Sequence, residues 1–159
     1  MAFNKEKEAS RVYKLVQEVC DGYKLRYAKD DQYKRVEFDI QGDHELVKHV
    51  VTVNEKINVV FVLSDLPVQV DEKYSQEVAQ AVNVVNCRLA YGSFDYNYRK
   101  GQITFRLPTN YTDMSMEKET INSLIMLTYA CVNKYNGLLI KVAKGIMLLD
   151  QFVKIVQGA

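Results

Sequence analysis

Two short strings in the sequence contain residues of the kind that bind metals or catalyse reactions. The string HELVKH, residues 44–49, resembles the helical zinc motif H-E-x-x-H, but His44 and His49 are one position too far apart. The neighbouring residues alternate as in a strand, where residues separated by an odd number of positions point to opposite faces. We therefore expect no metal ion shared by these histidines, and the sequence predicts no metal site.

The second string, residues 115–118, matches the S-x-x-K motif in which a serine is the nucleophile of β-lactamases. The companion S-D-N and K-T-G strings are missing, and serine is a common N-cap, so the start of a helix is the better interpretation. The glycines form neither G-x-G-x-x-G nor a P-loop, so the sequence has no recognisable loop for binding the phosphates of a nucleotide. We predict no enzyme activity, no catalytic residue and no cofactor.

The composition is that of an ordinary globular protein without a strong charge. The chain has 159 residues, 48% of them hydrophobic, and a formal charge of +1, so we expect residues 1–159 to form a single domain. A nearly neutral chain does not attract nucleic acid or anionic lipid, which disfavours both as partners. The first residues are charged, no apolar run is long enough to cross a membrane, and the cysteines are scattered. We expect a cytoplasmic protein.

The order of the hydrophobic patterns predicts an α+β fold. An antiparallel sheet of about five or six strands carries packed helices, in the order helix–strands–helix–two strands–helices. Helical spacing of apolar residues predicts the first helix over residues 4–20, and alternation predicts strands over 23–28 and 36–40. The return strand of the next hairpin, residues 57–63, is apolar on nearly every residue, which predicts a central strand covered on both faces.

Further helical segments follow in the second half of the chain. One is predicted from Asp71, and a longer one begins at Ser115. The pair Asn136-Gly137 is predicted to end that long helix as a C-cap. A final helix over residues 138–156 is apolar on more than one face. Two interpretations of it stay open: an interface with a second copy of the chain, or a packing helix in the core of the monomer.

Residues 81–108 include a hairpin whose aromatic residues are either a binding platform or the inside of a sheet. Alternation favours the second interpretation, because it places the aromatic residues on one face and the polar residues on the other. A turn with Gly101 at a positive φ connects the strands. The register that brings both apolar sets to the inner face pairs Tyr98 with Ile103, Tyr96 with Phe105 and Phe94 with Leu107.

A small set of residues in and near this hairpin forms the candidate partner-binding surface. The set is Tyr91, Asn97, Arg99, Arg106, Met114 and Met116. Its basic and aromatic members are also residue types that contact single-stranded nucleic acid, but no basic stripe accompanies them. The two methionines have a second interpretation, as cover for the open end of the core. Asn83 and Asn86, at the end of the helix from Asp71, are predicted to bond loose backbone rather than a ligand.

The middle of the chain, about residues 64–145, resembles the bacterial YbjN family, which has the type III secretion chaperone-like fold. The residues that carry the resemblance are Asp65, Leu66, Pro67, Asn83, Asn86, Gly92, Phe94, Gly101 and Arg106. The resemblance implies a helix, three strands, a helix, two strands and a helix, often as a dimer, and it implies no catalytic residues. The strand-like residues 23–28 and the second C-terminal helix are additions to that pattern.

The sequence thus favours a protein-interaction module, regulatory or chaperone-like, that acts as a homodimer and binds an unidentified protein. The alternative is an enzyme or small-ligand sensor whose polar groups converge only in the folded chain. A deep pocket of polar groups with shifted pKa values would favour the alternative. A flat apolar patch or a symmetric groove would favour the interaction module.

Overall fold

The computed structural model describes residues 4–112 and 116–158. Within them the chain forms four α helices, six strands and one 3₁₀ turn. In chain order these are α1 (Lys5–Gly22), β1 (Tyr27–Asp30), β2 (Arg35–Gln41), β3 (Leu46–Asn54), β4 (Val59–Asp65), the 3₁₀ turn (Glu72–Tyr74), α2 (Ser75–Asn86), β5 (Ser93–Asn97), β6 (Gln102–Asn110), α3 (Lys118–Ala143) and α4 (Leu149–Gln157). The predicted α+β order of elements is confirmed.

The six strands form one antiparallel sheet in the order β1-β2-β3-β4-β6-β5. One set of alternate residues from the strands packs into a single hydrophobic core with α1, α2 and α3, and we call this side the inner face. The other side is the outer face. β4 lies in the middle of the sheet as predicted, but only its inner residues Val60, Val62 and Ser64 are fully buried. Within this one chain the described helices cover only the inner face of β4.

The first helix begins as predicted and ends two residues later. The side chain of Asn4 caps it by accepting a hydrogen bond from the Lys7 amide at 3.0 Å. The helix continues to Gly22, and Lys24 then takes a positive φ of 55° while the Leu25 amide donates to the Cys20 carbonyl. This closing turn prevents a strand from starting at residue 23, so β1 begins only at Tyr27.

The long helix α3 does not end at Asn136-Gly137, contrary to the prediction. Its axis continues to Ala143, and the turn out of it is made by Gly145, at a φ of +67°. Gly137 serves close packing instead, because a Cβ atom there would lie 2.7 Å from Cδ2 of His44. The residues from Leu139 to Ala143 on the inward side are buried within this one chain. That part of the final predicted helix is therefore monomer core.

The β5–β6 hairpin has the predicted faces but a different register. Phe94 opposes Phe105 and Tyr96 opposes Ile103, so the pairing is shifted by two residues from the prediction. The Lys100 amide donates to the backbone and side-chain oxygens of Asn97, which closes a longer loop. Tyr98 lies in that loop and is 69% exposed rather than buried. Because the shift is an even number of residues, the inner face keeps its aromatic residues.

Candidate interaction surfaces

A column of apolar residues runs down the middle of the outer face. Val59, Phe61 and Leu63 of β4 are half-buried there, between Val50 of β3 and Pro108 of β6. Val50 is only 7% exposed, yet none of these five residues belongs to the hydrophobic core on the inner face. The neighbouring strands shield the sides of the column, while no described helix covers its top. We call these five residues the outer apolar column.

Charged residues border the column on both sides, and they are paired within the chain. On the β2 side, the Glu37 carboxylate forms ion pairs with Arg35 at 2.6 Å and with Lys48 at 3.6 Å. On the β5 side, Nε of Arg106 contacts Oδ2 of Asp95 at 2.6 Å, and this hydrogen bond raises the pKa of the arginine. Each border therefore presents both signs of charge at short range.

Four of the predicted partner-binding residues lie in or beside the β5–β6 hairpin. Arg106 lies on the outer face in the ion pair with Asp95, and Asn97 is used to close the hairpin loop. Tyr91 precedes β5 and Arg99 follows it, so these two exposed side chains belong to opposite ends of that strand.

The two methionines of the predicted surface have different outcomes. Met116 is fully buried, and its carbonyl accepts a hydrogen bond from Nη2 of Arg11 at 2.8 Å. It therefore has the second of its two predicted roles, closing one end of the core, and it is not available on the surface. Met114 lies outside the described residues, as does Ser115 of the S-x-x-K string.

Asn86 has the structural role that the sequence predicts. Its Nδ2 donates to the Phe94 carbonyl at 2.9 Å, and its Oδ1 accepts from the Phe94 amide at 2.8 Å. The Asn86 side chain thus makes the two hydrogen bonds that the backbone of a neighbouring strand would make at the edge of β5. Asn83, one turn earlier, is exposed.

A buried serine–histidine pair lies in the sheet and was not predicted from the sequence. His49 of β3 and Ser64 of β4 oppose each other on the inner face, and the serine Oγ lies 2.6 Å from Nδ1 of the histidine. Burial lowers the pKa of His49 to about 4, and its ring stacks on Phe38 with centroids 5.7 Å apart. The strand alternation places His49 with Val47 and Val51, and this was the signal that could have revealed it.

The Ser64–His49 contact resembles that between a catalytic nucleophile and its general base, but both side chains are too deeply buried to contact a substrate in this structure. His49 is 1% exposed and Ser64 is 0% exposed. Nε2 of the histidine has no hydrogen-bond partner in the part of the chain that the structure describes, and the space beside it, next to Asn136, is too small for a water molecule. The pair therefore lacks the deep pocket that would favour an enzyme or sensor.

Other reactive groups in the described residues give no stronger site. Burial raises the pKa of the Cys20 thiol to about 11 and also raises that of Cys131, so both are poor nucleophiles. No cluster of three or more histidine, cysteine or acidic side chains is placed to hold a metal within residues 4–112 and 116–158. In the same part of the chain, no helix combines the length and apolar character needed to cross a membrane.

Comparison with known proteins identifies the fold. No family model matches the chain, and no curated protein has significant sequence similarity to it. A chain from the crystal structure of the ExsC–ExsE complex matches with a TM-score of 0.57 and 12% sequence identity. The match covers 82% of this chain and 95% of that chain. The protein therefore has the type III secretion chaperone-like fold that the sequence predicts.

Proposed function

We propose that this chain is a non-enzymatic protein-interaction module, regulatory or chaperone-like, that forms a homodimer and binds another protein. The observation that carries the proposal is the outer apolar column, which lies in the middle of the sheet and is left uncovered by the described helices. Apolar residues gathered in one exposed patch are characteristic of interaction sites, whereas single exposed apolar residues are ordinary.

The borders of the column favour a second copy of the chain as its occupant. Two sheets pack face to face at a spacing of roughly 10 Å, with their strands nearly aligned. A two-fold axis along the column would bring the Arg35–Glu37 border of one copy opposite the Arg106–Asp95 border of the other. Since each border holds both signs of charge, side chains of opposite sign can face each other around an apolar centre, as in the polar rim of an interface.

The solved neighbour supports binding of another protein. That neighbour is part of a complex of two proteins, ExsC and ExsE, and this chain has the same fold over most of its length. We infer that the fold serves protein binding here as well, with no chemical step. Membership of the YbjN family is part of the same proposal, and the roles of Asn86 and Gly101 in fixing the hairpin support it.

The test is the mass of the chain in solution, measured by light scattering during size-exclusion chromatography. We expect a dimer for the unmodified chain and a monomer for Phe61→Glu, because a carboxylate in the centre of the contact has no partner. Tyr33→Glu is the matched control, since Tyr33 is a 65% exposed aromatic residue between β1 and β2. A monomeric unmodified chain, or a Phe61→Glu variant that stays dimeric, would overturn the proposed homodimer.

A further inference from the structure

A second surface lies on the far end of α3, away from the outer apolar column. The loop before β3 and the last turns of α3 form the sides of a half-open groove of about 350 Å³. The residues that line it and carry the argument are His44, Lys134, Leu138, Lys141, Lys144 and Ile146. Gly137 lets the His44 ring lie directly on the helix, which keeps the loop and α3 in contact.

The groove is basic although the chain as a whole is almost neutral. Lys134, Lys141 and Lys144 are exposed, and among the described residues no acidic side chain lies within ion-pair distance of any of them. Glu45 is the one acidic residue among those that line the groove. The concentration of positive charge is therefore local, and its ammonium groups are free to bind carboxylates.

The position of these lysines at a helix C-terminus explains only part of the pattern. Cations in the last turn interact favourably with the helix dipole, which accounts for Lys141 and Lys144. Lys134 lies more than two turns from the end of α3, and its Nζ sits 5.1 Å from the ring centre of Tyr135. Ile146 is 69% exposed at the edge of the groove, beside these cations. A ligand that binds these lysines can therefore also bury part of Ile146.

We propose that this groove binds an acidic segment of the partner protein, with carboxylates on the three lysines and one apolar side chain on Ile146. This inference rests on the proposed function and adds the chemical character of the partner. The proposed homodimer places the second copy on the outer apolar column, which leaves the groove open to the partner protein. The outer apolar column and the basic groove thus have different occupants.

The probe is a fluorescein-labelled synthetic peptide of alternating glutamate and leucine, with an all-glutamate peptide of equal length for comparison. Fluorescence anisotropy should show binding of the first peptide that weakens with salt, and at least about tenfold weaker binding of the second. The variant Lys134→Glu/Lys141→Glu/Lys144→Glu should lose at least about tenfold in affinity. The control Lys5→Glu/Lys7→Glu/Lys14→Glu, an equal charge change on exposed positions of α1, should bind as the unmodified chain does.

Every other outcome overturns the inference. No binding of the mixed peptide, equal binding of the two peptides, or equal loss in both triple variants would each contradict an acidic segment with an apolar anchor. Tighter binding of a single-stranded DNA of equal charge would assign the groove to nucleic acid instead. The Phe61→Glu variant separates the two proposals: peptide binding by a monomeric variant, or by an unmodified chain that proves monomeric, supports the groove independently of the homodimer.

Discussion

The two faces of the sheet are built from alternate residues of the same strands, yet they have different surroundings. On β4, Val60 and Val62 point into the core and are fully buried, while Phe61 and Leu63 point outward and are half-buried. Both sets are apolar, so the chain supplies hydrophobic residues to a face that its own described helices do not cover. The inner face is explained by stability of the monomer, and the outer face is the one on which we propose that a second copy packs.

The largest expected effect is on the inner face. Phe105 is fully buried and packs edge-on against Phe94, with ring centres 5.0 Å apart. Phe105→Ala should lower the free energy of unfolding by about 3 to 5 kcal/mol, because it removes a large buried side chain and leaves a cavity. Urea titration measures this, with Tyr98→Ala in the exposed loop as the control. A loss under about 1 kcal/mol would mean that the assignment of the two faces is wrong.

The second prediction concerns the loss of folding stability at acid pH, which also depends on a residue of the inner face. Burial lowers the pKa of His49 in the folded chain to about 4 from its ordinary value of 6.5, so the unfolded chain binds the proton first as the pH falls. Stability from this group is fully present above pH 6.5 and is lost as the pH falls towards 4. The total loss is about 3 kcal/mol.

The measurement is a series of urea titrations between these pH values for the unmodified chain and for His49→Gln. Both proteins have the same carboxylates, so any difference in how their free energies of unfolding depend on pH is due to the histidine. The unmodified chain should lose stability with a steeper slope on acidification. The same pH dependence of the free energy of unfolding in both proteins would show that the charged form of His49 is solvated or paired in the folded chain.

A smaller loss is expected at the edge of the inner face, where Asn86 bonds the backbone of Phe94. Asn86→Ala leaves that amide and carbonyl without their partner, which should destabilise the chain by about 1 to 3 kcal/mol. Asn83→Ala, an exposed asparagine on the preceding turn of the same helix, should change stability by less than about 0.5 kcal/mol. Equal effects of the two substitutions in thermal unfolding would contradict the role assigned to Asn86.

The sequence predicted those features that depend on periodicity. The buried stripe of α2 and the inner faces of β2, β5 and β6 follow from apolar spacing alone, and the structure has them. The register of the hairpin was not predictable in this way, because the hydrogen bonds of Asn97 set the length of its loop. Gly137 lies inside α3, where the absence of a Cβ makes room for His44, a residue distant in sequence that no local pattern connects with it.

The candidate surfaces were less predictable than the fold, for a related reason. Alternation shows that β4 is apolar on both faces, but it does not show which faces the helices cover. Likewise, His49 and Ser64 are paired by the register of β3 with β4, and no local pattern contains that pairing. The basic groove combines a loop before β3 with the end of α3, two segments that are far apart in the sequence.

The most direct test of the account compares two properties of one variant, Phe61→Ala. Sedimentation equilibrium gives the dimer dissociation constant, and urea titration below that concentration gives the stability of the monomer. We predict a dissociation constant at least about tenfold higher, because a central contact is lost from both copies. The free energy of unfolding of the monomer should change by less than about 1.5 kcal/mol, since Phe61 is only half-buried there. An unchanged dissociation constant together with a large loss of monomer stability would contradict the claim that the outer face is an interface.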